Sequence, residues 1–259
     1  MASKCDIAAG YLITIVVVLS KQNRYLVILP ARMGAQRLPG KPLRLLGGVP
    51  IIRRTYSGVK DLFEKVFVAT DSEEIIAECE SQKIPCIRTG SHHVNGTTRT
   101  LEAFISLEIE VDYIINVQGD EAFISKEILQ PLLDLLEEKQ PEAATIQAPL
   151  TSQSSESNVY VVTDNDRRAL YFSRSPIPAA RNGQPQRYQH VGVYAFKPKA
   201  LKSYCAMSPT PLEQHEMLEQ LRWLENGKSW AIATAPNKPL SIDTPEDLKA
   251  AGELLTKQD

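Results

Sequence analysis

Between Tyr25 and Pro149 the chain alternates short apolar, β-branched runs with stretches of helical periodicity, and that rhythm leaves few folds open. YLVILP, from Tyr25 to Pro30, reads as a buried strand closed by proline. Pro50 then starts a helix through IIRRTYSGVK. KVFVAT, from Lys65 to Thr70, is a second strand, and Asp71 or Ser72 caps the following helix, where Ile75, Ile76 and Cys79 share one face. Ile84 to Arg88 reads as a third strand and DYIINVQGD, ending at Asp120, as a fourth. Ser125 caps a long amphipathic helix to about Lys139, and AATIQAP is the fifth strand. Units of this kind build an α/β fold, a mostly parallel sheet with helices on both faces.

The second half changes character. Ser157 to Thr163, Leu170 to Arg174 and Tyr188 to Phe196 read as strands of a smaller antiparallel subsheet, followed by helices from Leu212 to Glu225 and from Pro245 to Leu255. Thr151 to Ser157 is the one stretch with the look of a linker, and no internal repeat occurs. Ahead of the first strand, YLITIVVVL (Tyr11 to Leu19) is about half the ~20 residues a membrane-spanning helix needs. Residues 1–23 read as an extension or added edge strand, with membrane association the minority reading, and 24–259 as a single domain.

A net charge of -2 and the lack of any basic run of five residues argue against a nucleic-acid or anionic-membrane binder. Four cysteines without CxxC spacing fit reduced thiols in a cytosolic protein. Attraction for anions must therefore be local. In open α/β sheets ligands bind beyond the carboxyl ends of the strands, which gathers Ala31 to Lys41, Thr70-Asp71 and Gln118 to Glu121 around one crevice. The loop PARMGAQRLPGKPL carries Arg32, Arg37, Lys41 and Arg44 among Gly34 and Gly40. Glycines let a backbone approach phosphate, arginines offer planar forks and Lys41 a point charge. A solvated basic loop is the competing reading. Asp120, beside Gly119 at a strand end, suits either a Mg2+ ligand or an ordinary turn. In SIDTPEDL, Thr244 caps the last helix with Pro245 at its first position, which frees Asp243; alternatively Asp243 is itself the cap. Locally the two stand even.

Taken together, ILPARMGAQRLPGKPL, VFVATDSEEI, NGTTR, INVQGDE, ALYFSRSPIP, QHVGVYAF, PLEQHEMLEQLRWLENG and SIDTPEDL occur in an order that resembles the 3-deoxy-manno-octulosonate (Kdo) cytidylyltransferases, from Tyr25 to about Leu254. The resemblance implies a nucleotide-diphospho-sugar transferase fold, Rossmann-like with a mixed, mostly parallel sheet. It implies a cytoplasmic homodimer that uses Mg2+ to transfer CMP from CTP to the anomeric hydroxyl of Kdo, for lipopolysaccharide biosynthesis. By that likeness Ala31, Arg32, Arg37 and Lys41 contact the nucleotide, the three cations holding its triphosphate. Asn95, Gly96 and Arg99 border the nucleotide and Gln118 reads the cytosine edge. Lys41, Asp120 and Asp243 form the catalytic set, the aspartates carrying the metal. Arg174, His190, Glu216 and Gln220 form the sugar-acid pocket. Arg174 suits a carboxylate by its bidentate fork. On local grounds alone His190 equally reads as a core histidine, and Glu216 with Gln220 as a surface pair on one helix face.

The sequence departs from the family pattern where Thr98 replaces an acid, where Tyr160 and Gln189 replace basic residues, and where Ala179 to Arg187 is short. Those changes keep open the same transfer to another acid, an 8-amino Kdo analogue or a sialic acid. A non-catalytic CTP-binding protein is the rival from a different class, and the paired aspartates argue against it.

Overall fold

The computed structural model describes residues 24–34, 37–150 and 158–255. The N-terminal extension, the linker-like stretch and the first residue of the strand expected from Ser157 lie outside them. The chain runs β1 (Tyr25–Pro30), a 3-10 turn (Lys41–Leu43), β2 (Leu45–Leu46), β3 (Val49–Pro50), α1 (Ile51–Val59), β4 (Lys65–Thr70), α2 (Glu73–Ser81) and β5 (Cys86–Arg88). It continues through α3 (Gly96–Leu107), β6 (Tyr113–Val117), α4 (Lys126–Lys139), β7 (Ala143–Pro149), β8 (Tyr160–Thr163), β9 (Ala169–Ser173) and β10 (Tyr188–Phe196). The last elements are α5 (Pro198–Ala206), α6 (Pro211–Glu216), α7 (Gln220–Glu225), β11 (Ala231–Thr234) and α8 (Pro245–Leu255).

A mixed sheet in the order β11-β7-β10-β6-β1-β4-β5 forms the centre. Strands β6, β1, β4 and β5 are mutually parallel, as are β7 and β11. Every residue of β1 is buried, so its alternating side chains feed two cores. Val27 and Leu29 pack on one face with Leu129, Leu132 and Leu136 of α4. Leu26 and Ile28 belong to the other, with Phe196, Tyr204, Trp223 and Trp230.

Strand β10 departs from the sequence expectation. Rather than belonging to the subsheet alone, it lies antiparallel between β6 and β7 in the main sheet. Its first residues, Tyr188 and Gln189, also pair with Val161 and Tyr160, and through that edge β8 and β9 attach. A strand of this length with an almost wholly buried pattern needs neighbours on both sides. The helix expected from Leu212 to Glu225 is two helices. Met217 adopts a left-handed conformation (φ 53°) and ends α6, and α7 starts only at Gln220. Neither glycine nor proline marks that break. Helices α3 and α5 and strand β11 are further elements that the periodicity did not announce.

Helix α1 supports the loop after β6. Thr55 is fully buried, and its hydroxyl lies 3.2 Å from the carbonyl oxygens of both Ile51 and Gly119. Gly58 lies so close that a Cβ there would run into the carbonyl oxygen of Ile124. In an exposed helix Gly→Ala gains about 1 kcal/mol. Here overpacking reverses the sign, and Gly58→Ala is expected to lose about 1–3 kcal/mol. The midpoint of urea unfolding measures it; an unchanged or higher midpoint means that the loop does not rest on α1.

Candidate active site

Beyond the carboxyl ends of β1 and β6 lies a continuous groove of three adjoining cavities, of about 160, 210 and 530 Å3. The smallest is walled by Ala31, Arg32, Lys41, Gly119 and Asp120. Gly119 is required for this approach, because a Cβ would stand 2.8 Å from the Pro30 carbonyl oxygen. Gly40, at φ 68°, makes the left-handed turn that starts the Lys41–Leu43 turn and folds Lys41 inward.

Lys41 is 6% exposed, and its ammonium donates to Asp120 Oδ2 at 2.7 Å and to Asp243 Oδ1 at 3.3 Å. Burial works against its charge, but the two carboxylates outweigh burial and hold its pKa above the ordinary value. Arg37 adds a contact of 3.4 Å to the same Asp243 oxygen. The ambiguity at the start of α8 is resolved. Thr244 Oγ1 accepts from the Asp247 amide at 3.1 Å, and Asp247 returns a bond to the Thr244 amide at 2.9 Å. Asp243 is thereby free of capping and faces the lysine. The donor set at this point is two carboxylates converging on one cation, with the ammonium standing where a metal's charge would be. An all-oxygen pair of this kind fits Mg2+.

The middle cavity is walled by Pro30, His93, Asn95, Gly96, Arg99 and Gln118 among others. Asn95 caps α3 by accepting from the Thr98 amide at 2.9 Å. Gly96 lets that helix end press on its neighbours, since a Cβ would lie 3.0 Å from Pro30 Cγ and 3.1 Å from Gln118 Oε1. Arg99 borders the cavity but is anchored elsewhere, pairing with Asp71 at 2.9 Å and donating to Thr89 at 2.5 Å and to the Gly90 carbonyl at 3.2 Å.

The largest of the three groove cavities brings together Arg174, His190, Tyr194, Glu219 and Gln220. His190 is buried, its ring edge-on to Phe172 at 5.4 Å. Thr145 donates its hydroxyl proton to the Val193 carbonyl at 2.6 Å, so its oxygen accepts the Nε2–H of His190 at 2.8 Å. That chain assigns the tautomer and leaves Nδ1 as an acceptor. Burial, and then the charges of Lys238 and Arg174, push the His190 pKa down to about 3. Gln220 is also buried and accepts from the Tyr194 hydroxyl at 3.3 Å.

Glu216 requires correction. Its carboxylate accepts from Ser173 Oγ at 3.0 Å and from the Arg174 amide at 2.7 Å, and it is not among the residues lining the cavity. The break at Met217 is the cause, because Glu216 and Gln220 do not share a helix. Glu219 takes the place instead, lining both larger cavities and accepting from Thr97 Oγ1 at 3.0 Å. Burial raises the Glu219 pKa to about 7. Glu121, at the end of the crevice segment expected from the sequence, is pushed up to about 7 by burial and by Asp120, and Lys238, lowered by burial, is a further group the sequence reading missed. Tyr160 and Gln189 are 1% and 4% exposed and pair with each other across β8 and β10, so their lack of positive charge lies inside the sheet.

The cytidylyltransferase family model matches residues 26–230. The chain is 40% identical to the 3-deoxy-manno-octulosonate cytidylyltransferase of Polynucleobacter necessarius subsp. necessarius (strain STIR1), over 92% of this chain and 98% of that protein. It is 39% identical to the protein of the same name from Rickettsia bellii (strain OSU 85-389), again over 92% and 98%. Among solved structures, a CMP:2-keto-3-deoxy-manno-octonic acid synthetase complexed with CTP superposes with a TM-score of 0.84. That chain is 31% identical, and the match covers 91% of this chain and all of the other.

The hydrogen-bond chain at His190 makes a spectroscopic prediction. Nitrogen-15 shifts of its ring are expected to report a neutral Nε2–H imidazole from pH 5 to pH 8, without titration. A midpoint anywhere in that interval would refute the assignment.

Proposed function

The chain belongs to the cytidylyltransferase family, and on that premise we propose that it transfers CMP from CTP to the anomeric hydroxyl of Kdo, releasing pyrophosphate. The observation that carries this reading is the meeting of Lys41, Asp120 and Asp243, the first two of them walling the smallest cavity. Arg32, Arg37 and Lys41, with the backbone at Ala31, hold the triphosphate. Gln118 reads the cytosine edge, Asn95 and Gly96 wall the base, and Arg99 keeps that wall in place through Asp71 and Thr89. Kdo occupies the largest cavity, its carboxylate on Arg174 and a hydroxyl on His190 Nδ1, with Glu219 and Gln220 closing the pocket. Glu216 acts as a positioning residue, since it grips the Arg174 amide.

In the reaction the sugar oxygen forms a bond to the α-phosphorus, the bond to the β-phosphate oxygen breaks, and the hydroxyl proton leaves. Lys41 offsets negative charge as it moves onto the departing pyrophosphate, in a recess where water screens little. Asp120 and Asp243 would hold Mg2+, which when bound supplies Lewis-acid stabilisation of phosphate charge and orients the reacting oxygens. The buried places of Tyr160 and Gln189 support Kdo over another acidic sugar, because neither lines the pocket. No helix among the described residues is long and apolar enough to cross a membrane. We read the protein as a cytoplasmic homodimer serving lipopolysaccharide biosynthesis.

Pyrophosphate release with CTP, Mg2+ and a panel of ulosonic acids tests the function. Release with Kdo is expected, and release only with sialic acid, or with none, would overturn the proposal. Asp120→Asn and Asp243→Asn are each expected to slow turnover on the order of 100-fold or more without unfolding the chain. A second expectation concerns pH. Glu219 is neutral below about 7 and charged above it, so its charge opposes an anionic sugar only on the alkaline side. KM for Kdo should rise between pH 6 and pH 8, and Glu219→Gln should flatten that rise; an equal rise in the variant removes Glu219 as its cause.

A further inference from the structure

On the flank of the groove, the loop before α3 and the helix itself bring His92, His93 and Glu102 together, with one ligand atom of each within 4.8 Å of the others. Glu102 Oε2 lies 2.5 Å from His93 Nε2 and 3.9 Å from His92 Nε2. The two rings lie against each other at a centroid distance of 4.3 Å. Ligands bound about 2.0–2.2 Å from one tetrahedral zinc stand roughly 3.3–3.6 Å apart, and the observed separations straddle that value.

The surroundings hold these groups as a metal's outer shell does. Glu102 Oε1 accepts from the Gly90 amide at 2.9 Å, which leaves Oε2 for another partner. The Thr98 hydroxyl donates to the Asn95 carbonyl at 3.1 Å. Its oxygen therefore accepts from His93 Nδ1 at 3.2 Å. In neutral His93 the lone pair is then on Nε2, facing a carboxylate oxygen. A proton on Nε2 closes that contact as a hydrogen bond, and a metal ion displaces this proton as the two atoms move apart. A Cβ at Gly90 would stand 2.5 Å from His92 Nδ1, so glycine there leaves the His92 ring its place.

We propose that His92, His93 and Glu102 form a binding site for a divalent transition metal of the Zn2+ class. Two imidazoles and one carboxylate suit that borderline ion, whereas the oxygen pair Asp120 and Asp243 suits Mg2+. The two sites therefore take different metals. His92 is 76% exposed in its side chain, so the fourth coordination position opens to solvent. A bound ion ties the loop to α3, and His93 and the neighbouring Asn95 and Gly96 wall the middle cavity. Occupancy stiffens that wall. This site does not depend on the CTP reading, because its readout is metal binding.

Calorimetric titration of the full chain with Zn2+ is expected to show one equivalent, and Co2+ in its place a visible d–d band without thiolate charge transfer. His92→Ala and Glu102→Gln should each weaken binding about 10-fold or more, while Asp120→Asn leaves it unchanged. If Glu102→Gln melts early, the exposed His92→Ala alone decides. Undiminished binding in His92→Ala, a thiolate band pointing to Cys79 and Cys86, or no bound equivalent would overturn the proposal.

Discussion

One buried ammonium organises the groove. Lys41 bonds to residues 79 and 202 positions away in the chain, and so fastens the loop after β1 to the end of β6 and to the start of α8. Taking a charge out of water costs several kcal/mol unless its partners are well placed, and here both carboxylates are. Each partner is in turn held from behind. Asp120 sits on a loop tethered by Thr55 and backed against Gly58, and Asp243 is released by the capping pair of Thr244 and Asp247. Removing Lys41 leaves two carboxylates facing each other, whereas removing either aspartate leaves the ammonium its second partner.

The groove owes its shape to where side chains are missing. At Gly96, Gly119 and Gly192 a single added carbon would press on Pro30, Gln118 or Glu121. Neighbours meet the backbone closely at these points, so the two smaller cavities stay narrow. The sugar side is built differently, from aromatic rings and a buried imidazole whose proton is committed to Thr145. The first half thus offers charge and close backbone, the second a fixed pattern of donors and acceptors.

Much of the first half was legible in the sequence, because β1, β4 and β6 are uninterrupted apolar runs and their ends fall where ligands of such sheets bind. Arg32, Lys41, Gln118, Asp120 and Asp243 follow from that rule and from the motif series. The second half resisted for physical reasons. β10 pairs with β6, β7 and β8, and no local pattern encodes partners so far apart. The end of α6 depends on one left-handed Met217, a conformation that side chains with a Cβ rarely signal. For that reason Glu219 lines the cavity while Glu216 lies outside it. The convergence of His92 and His93 with Glu102 is likewise set by the loop's path rather than by spacing.

Strand β10 contains a register shift between Val191 and Tyr194, with Gly192 inside it. A bulge of this kind takes up a mismatch locally. The length before it aligns with β8 and carries His190, while the length after it is paired with β6. One strand therefore behaves as two rulers joined by a slip joint. Both lengths still pair with β7, so the joint lets the residues around His190 keep one alignment with that strand and the residues beside β6 another.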